Sequence, residues 1–448
     1  VTAPSLATGP AQPRAGRRIL IVAPEAPSPP MGGFSLRVHH LAGELARRHQ
    51  VTLLTYGTPD DGHDWSGLGR TLAAVHSVPP PPTLRLGPSG TRSTAARRAH
   101  QLASVCSRGS FHLGSLRSRA MQQTLDRLVD DPGFDLIQVE SSQMMWVDLP
   151  GPTPVVLDEH NVEFALLERV AGVERSPLRR WYGRLEAGKA RGEERRCWER
   201  VDGCVVTSAA DEAIIQRERP GSVTGVVPNG VDTEHFRPAA GETPEGSGMV
   251  FVGRMDYRPN VDAVEWFVRT VLPLVRAAEP TAVLTVVGGG GVPPALRRLS
   301  GPGLVMTGLV DDVRPFVHRA AMVVVPLRAG GGTRLKLLEA LAMAKPVVST
   351  SVGAEGVDVI AGEHLLTADS PEPMADQILR VMAERGLGPR LGLAGRSLVL
   401  DRYSWSASAR RLEEFHDRIA ASAERGWSPG RRMRASPPAR PVHSAGAS

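Results

Sequence analysis

Residues 18–56 read RILIVAPEAPSPPMGGFSLRVHHLAGELARRHQVTLLTY. Arg18 to Ala23 is an apolar run of strand length, closed by Pro24. From Phe34 to Arg48, Leu36, Val38, Leu41, Ala42 and Leu45 recur at helical spacing, and Val51 to Tyr56 is a second strand-sized run. Strand, loop, helix, strand is the opening of a parallel sheet, because parallel neighbours are joined by a crossover and not by a hairpin.

The same alternation continues outward. Further strands are expected at Leu136 to Val139, Val155 to Leu157, Cys204 to Thr207 and Val223 to Val227, with Arg169 to Arg200 as a mixed-charge helical stretch carrying a solvated face. A second series predicts strands at Met249 to Val252, Val283 to Val287, Leu304 to Thr307, Met322 to Pro326 and Pro346 to Ser349. Helices are expected between them at Val261 to Ala278, Thr333 to Ala344 and Pro373 to Ala383. Two serial βα runs imply an α/β protein with two doubly wound domains. The break between them falls at Gly241 to Gly248 or at the Pro228-Asn229-Gly230 turn.

Composition narrows the function classes. The chain has 448 residues, 53 basic and 47 acidic, and no apolar run near the ~20 residues that span a bilayer. Arg14, Arg17 and Arg18 at one end and Arg431, Arg432, Arg434 and Arg440 at the other lie in acid-free tails, so the body is nearly neutral and gives no footprint for nucleic acid. Between Trp65 and Leu125 there is no acid, while Arg70, Arg85, Arg92, Arg97, Arg98, Arg108, Arg117 and Arg119 all fall there. Only Phe111 interrupts the arginines with an aromatic ring, which argues against a stacking platform for single strands. The stretch reads either as a solvated loop or as a contact for an anionic acceptor or membrane face. Cys106, Cys197 and Cys204 form no paired motif, and the expectation is reduced thiols in the cytoplasm.

Two glycine-rich turns follow strands. Gly288-Gly289-Gly290-Gly291 begins a dinucleotide fingerprint, but Pro293 stands where the third glycine belongs, and a tight βα turn is the alternative. Gly330-Gly331-Gly332-Thr333-Arg334-Leu335-Lys336 leads from a strand into a helix without the Gly-Lys-Ser/Thr of a Walker loop. Bare backbone at a helix start suits a diphosphate, and Lys336, one turn inside, can add a charge. Glu339 either accepts hydrogen bonds from a ribose diol or pairs with Lys336 on the helix surface.

Several segments closely resemble glycosyltransferase family 4. They are Val226 to Phe236 (VVPNGVDTEHF), Phe251-Val252-Gly253-Arg254, Val286-Val287-Gly288, Thr307 to Asp312 (TGLVDD) and Leu338 to Val348 (LEALAMAKPVV), with Asp158 to Glu163 (DEHNVE) in the first half. The resemblance implies a GT-B fold of two Rossmann-like domains facing a cleft. It also implies a retaining, metal-independent glycosyltransferase using a nucleotide-diphosphate sugar, with UDP as the expected carrier and no cofactor. Its Pro/Ala/Gly-rich composition makes the segment to residue 17 an expected disordered leader, and the resemblance suggests an acceptor domain over 18–228. A donor domain follows over 229–400, then a helix over 401–425 crossing back and a disordered basic tail over 426–448.

Carried over residue by residue, the resemblance makes Arg254 the diphosphate arginine and Glu339 the ribose ligand. His160 becomes the histidine facing the donor sugar, and Gly32-Gly33 the loop at the reacting centre. Lys336 joins Arg254 and His160 as catalytic, and Asn229, Arg258, Val310, Gly331, Gly332 and Thr333 are expected to contact the donor. Two positions depart from the family pattern. Its usual lysine six residues after Arg254 is Asn260, leaving Arg258 or Lys336 to supply the second charge, and the first glutamate of its paired motif is Gly331. The acceptor is a natural product, a saccharide or a lipid-linked molecule. The other functions compatible with these residues are a GT-B nucleotide-sugar epimerase and a non-catalytic nucleotide-sugar-binding module.

Overall fold

The computed structural model describes residues 16–426 apart from 28–32, 58–69, 82–103, 106, 108, 111–115, 131–132, 150, 173, 175, 240–246, 292–293, 300, 302 and 331–332. The leader before residue 16, the tail beyond 426 and much of the acid-free arginine stretch therefore lie outside the described residues.

Seven strands form the first sheet: β1 (Arg18–Ala23), β2 (Gln50–Tyr56), β3 (Ala74–Val78), β4 (Leu136–Glu140), β5 (Val155–Glu159), β6 (Gly203–Val206) and β7 (Thr224–Val226). Their order is β3-β2-β1-β4-β5-β6-β7 and every pairing is parallel. Helix α1 (Gly33–Ala46) links β1 to β2, α2 (Arg119–Asp130) precedes β4, α3 (Glu163–Gly172) and α4 (Pro177–Glu199) follow β5, and α5 (Ala209–Glu218) follows β6. The second sheet has β8 (Gly248–Val252), β9 (Val283–Val287), β10 (Leu304–Gly308), β11 (Met322–Val325), β12 (Val347–Ser349) and β13 (Leu366–Thr367), in the order β10-β9-β8-β11-β12-β13.

Both faces of each sheet are covered, which is why the strands read as unbroken apolar runs. In β1, Leu20 and Val22 join one core cluster while Ile19, Ile21 and Ala23 join the cluster on the other face. The second sheet divides in the same way, with Val250 on one side and Met249 and Phe251 on the other. These are the two doubly wound domains of the GT-B architecture.

The chain leaves the first sheet at Val227, whose N–H donates to Val206, and Val231 then donates to Tyr403. Helix α6 (Arg258–Trp266) runs through a π turn into α7 (Leu272–Ala278). The remaining helices are α8 (Pro294–Arg297), α9 (Arg314–Arg319), α10 (Leu335–Ala342), α11 (Ser351–Ala354), α12 (Pro371–Ala383), α13 (Leu387–Arg402) and α14 (Trp405–Glu424). From α14, Trp405, Ala409, Leu412, Phe415 and Ile419 pack on the first sheet. Gly203 and Gly225 make this approach possible, since a Cβ on either would stand within 2.8 Å of the Phe415 ring. Glu413 then pairs with Arg48 at 2.7 Å and His49 at 2.8 Å.

The helical stretch expected from Arg169 to Arg200 is built from two helices, α3 and α4. Pro177 lacks an N–H and holds Ser176 extended (φ −77°, ψ 119°), so the chain turns between Gly172 and Pro177. The strands β3 and β13 are additions. β3 carries His76 and Ser77 and stays half exposed, and β13 has two residues, so neither offers an apolar run.

Candidate active site

In a doubly wound sheet the ligand crevice opens beyond the strand ends where strand order reverses, here between β1 and β4 and between β8 and β11. Gly33 and Glu140 stand at this point of the first sheet, and Arg254 and Gly330 at that of the second. A Cβ on Gly33 would come within 3.3 Å of Leu335, so the N-termini of α1 and α10 meet across the crevice. The first amides of each helix have no acceptor within it, and both dipoles place partial positive charge there. Arg334, the N-cap of α10, makes no side-chain cap hydrogen bond.

On the first domain, His160 follows β5, stacks on Phe34 with ring centres 4.1 Å apart, and lies 2.7 Å from Glu140 through Nε2. Burial lowers the His160 pKa to about 3 and raises that of Glu140 to about 7. Burial thus disfavours the ion-pair form of this contact, and which partner donates depends on the imidazole tautomer. Beneath them Arg37, wholly buried, holds both Asp158 oxygens at 3.0–3.2 Å and donates to the Val227 carbonyl at 2.8 Å and Asn229 Oδ1 at 3.1 Å. Such an ion pair persists only because its hydrogen bonds are complete. Glu140, Asp158 and His160 each bring one ligand atom within 4.8 Å of the others. Arg37 already matches Asp158, and Gln138 and His160 occupy Glu140, so this cluster is satisfied from within the protein.

On the second domain, Lys336 donates to Asn260 Oδ1 at 2.7 Å and sits 4.2 Å from the centre of the Phe251 ring. Asn260 in turn donates to the Arg254 carbonyl at 2.8 Å. Gly253 leaves the space for this contact, since a Cβ there would lie 2.8 Å from the ammonium. Gly288 (φ 147°) would drive a Cβ to 2.3 Å from the Gly253 carbonyl oxygen. The Gly288 to Gly291 run is thus a tight βα turn packed on the Arg254 loop. Burial lowers the Lys336 pKa to about 7, with Arg334 adding to the effect, and raises that of Glu339 to about 7 against the pull of Lys336.

Among the described residues no donor bonds the Glu339 carboxylate. It faces a pocket of about 280 Å³ with Leu36, His40, Asp232, Phe236 and Trp405. The alternative of a surface pair with Lys336 is not what the side chains adopt. Arg254 pairs with Asp256 at 2.5 Å and stays half exposed. Val310 packs at the edge of the second core.

The remaining expected residues are spread along the domain seam. Thr333 donates its hydroxyl to the Thr207 carbonyl at 2.7 Å, and its N–H reaches Thr207 Oγ1 at 3.3 Å. Asn229 lies between Arg37 and Thr333. Arg258 pairs with Glu174 of the α3–α4 connection. Gly32, Gly331 and Gly332 lie outside the described residues. Sequence reasoning passed over Arg37, Glu140 and the ion pairs joining Arg169, Glu355 and Arg334. Arg37 did carry a signal: it is in helical phase with Leu41 and Leu45, on the face that must be buried.

The family model described as Glycosyltransferase Family 4 matches residues 31–235, and that described as Glycosyl transferases group 1 matches residues 246–384. The GDP-mannose-dependent alpha-(1-6)-phosphatidylinositol monomannoside mannosyltransferase of Mycobacterium tuberculosis is 28% identical over 223 residues, 44% of this chain and 56% of that protein. The D-inositol 3-phosphate glycosyltransferase of Streptomyces bingchenggensis is 28% identical over 251 residues, covering 50% of this chain and 52% of that one. The matched stretch thus spans about half the length of these curated relatives. Among solved structures, sucrose-phosphate synthase of Thermosynechococcus elongatus superposes with a TM-score of 0.62 at 21% identity, over 91% of this chain and all of that one. HepE of Anabaena in complex with UDP and glucose gives 0.57 at 14% identity, over 89% of this chain and 98% of that one. With its two matched domains and the strand order of both sheets, the chain belongs to glycosyltransferase family 4 and has the GT-B fold.

Proposed function

We propose that this chain transfers a sugar from a nucleotide-diphosphate sugar to an acceptor hydroxyl, with retention at the anomeric carbon and without a metal. The observation that carries the reading is the convergence of two helix N-termini with Lys336 and Arg254 at the switch points of both sheets. As the anomeric carbon–oxygen bond breaks, negative charge grows on the departing diphosphate. Amides and cations held in place beforehand stabilise that charge most effectively. Glu339, unpartnered in its pocket, would accept the ribose hydroxyls, and Val310 would line the base.

Neutral His160, steadied by Phe34 and Glu140, would present its ring to the donor sugar. With no carboxylate among the described residues placed as a nucleophile, the departing phosphate oxygen would take the acceptor proton on the same face of the sugar. UDP is the carrier we favour, because solved neighbours of this fold hold UDP; the mycobacterial relative's GDP-mannose makes GDP the second arm of the test.

The experiment is product analysis with radiolabelled UDP- and GDP-hexoses and a panel of saccharide, natural-product and lipid-linked acceptors. The expected result is label in an acceptor, with the donor's anomeric configuration by NMR. An inverted product, an epimerised donor, or nucleotide binding without turnover would each overturn the reading.

A further inference from the structure

Helix α4 begins at Pro177, and its first turns hold Leu178 73% exposed and Trp181 54% exposed. Arg179, Arg180 and Arg184 are exposed around them. From residue 175 to 185 the sequence carries four arginines and no acid. The first acid of the helix, Glu186, is buried and pairs with Lys189 at 3.2 Å. We propose that this end of the α3–α4 hairpin docks on an anionic lipid bilayer and so brings a lipid-linked acceptor to the adjoining cleft. The choice of acceptor rests on the proposed transferase activity; the docking does not.

The chemistry matches an anionic interface on each count. An indole favours the headgroup level, a leucine enters the acyl boundary, and arginines pair with lipid phosphates.

Position supplies the link to the cleft. Arg169, near the same end of the hairpin, donates to the Gly330 carbonyl at 2.7 Å and to Glu355 at 2.6 Å. It also lines an open groove of about 400 Å³ walled by Val352, Val357 and Val359. This groove beside the hairpin offers the apolar part of a lipid-linked acceptor a place to enter.

The test is cosedimentation of the full chain with vesicles of phosphatidylcholine containing phosphatidylglycerol, and with phosphatidylcholine alone. Salt-sensitive binding to the anionic vesicles only is expected, weakened about tenfold or more in both Leu178→Ser/Trp181→Ser and Arg179→Gln/Arg184→Gln. UDP binding by calorimetry should be unchanged in both variants. No vesicle binding, or binding that both variants leave intact, overturns the proposal. So does a wild-type dimer that the first variant dissociates without any vesicle binding, which would make the patch an interface between copies. Vesicle binding without nucleotide binding leaves the docking standing and removes the transferase reading; nucleotide binding without vesicle binding does the reverse.

Discussion

Lys336 donates to Asn260 across 2.7 Å, so the ammonium from α10 lies beside the position where the family resemblance puts a lysine of α6. On the proposed function, Lys336 supplies from α10 the cation that the family pattern places on α6, beside the space left by Gly253.

Lys336→Ala should therefore cost about 2 to 4 kcal/mol of transition-state stabilisation, read as kcat/KM for the donor with folding intact. Asn260→Lys combined with Lys336→Leu returns the cation to α6 and should recover at least part of that loss. Turnover of Lys336→Ala within threefold of wild type would mean the diphosphate is neutralised elsewhere.

The pH profile follows from the same two helices. The free enzyme needs Lys336 charged, which holds below its lowered pKa of about 7, and Glu339 ionised, which holds above its raised pKa of about 7. kcat/KM for the donor reports groups of the free enzyme, so it should rise with Glu339 ionisation and fall with Lys336 deprotonation, giving a narrow bell near neutrality. Lys336→Arg should remove the alkaline limb and Glu339→Gln the acid one. A flat profile through the neutral range would count against both assignments.

Glu339 has its own test in a double cycle. If the carboxylate holds the ribose diol, Glu339→Ala should weaken the donor nucleotide far more than its 2′,3′-dideoxy analogue, since deleting either partner removes the same hydrogen bonds. Calorimetric titration of both nucleotides measures it. Equal losses would make the pocket at Glu339 irrelevant to the ribose.

The reach of the sequence can be judged from these residues. Strand β1, α1 and β2 were legible because an apolar run and a helical stripe are local patterns, and in a parallel sheet buried on both faces the runs are uninterrupted. The helix start at Leu335 was legible for the same reason. Which partner each polar side chain takes was not. The contacts of Arg37 with Asp158 and Asn229 join residues 121 and 192 positions apart, and Thr333 is committed to Thr207 across the seam. Such pairings exist only once both sheets are packed, and no spacing in the chain encodes them.

His416 gives a prediction about stability. On α14, it is buried with neither ring nitrogen hydrogen-bonded. Burial lowers its pKa to about 3, and His49 and Arg17 push in the same direction. The unfolded chain, with an ordinary histidine pKa near 6.5, takes up this proton more readily than the folded one. The folded state therefore loses stability as pH falls from about 6.5 through about 3, and the proton-linked part of the cost vanishes above that window. His416→Leu removes both the proton-linked loss and the two unpaired nitrogens, at a buried position of α14. Burying an unsatisfied polar atom costs about 1 to 3 kcal/mol, so the variant should match or exceed the wild type at neutral pH and outlast it increasingly as the solution is acidified. Paired thermal melts at neutral and mildly acidic pH decide the matter, because acid effects from Glu413 and His160 are common to both proteins and cancel in the difference. A variant that melts lower at both pH values would show that His416 is held by partners the leucine cannot replace.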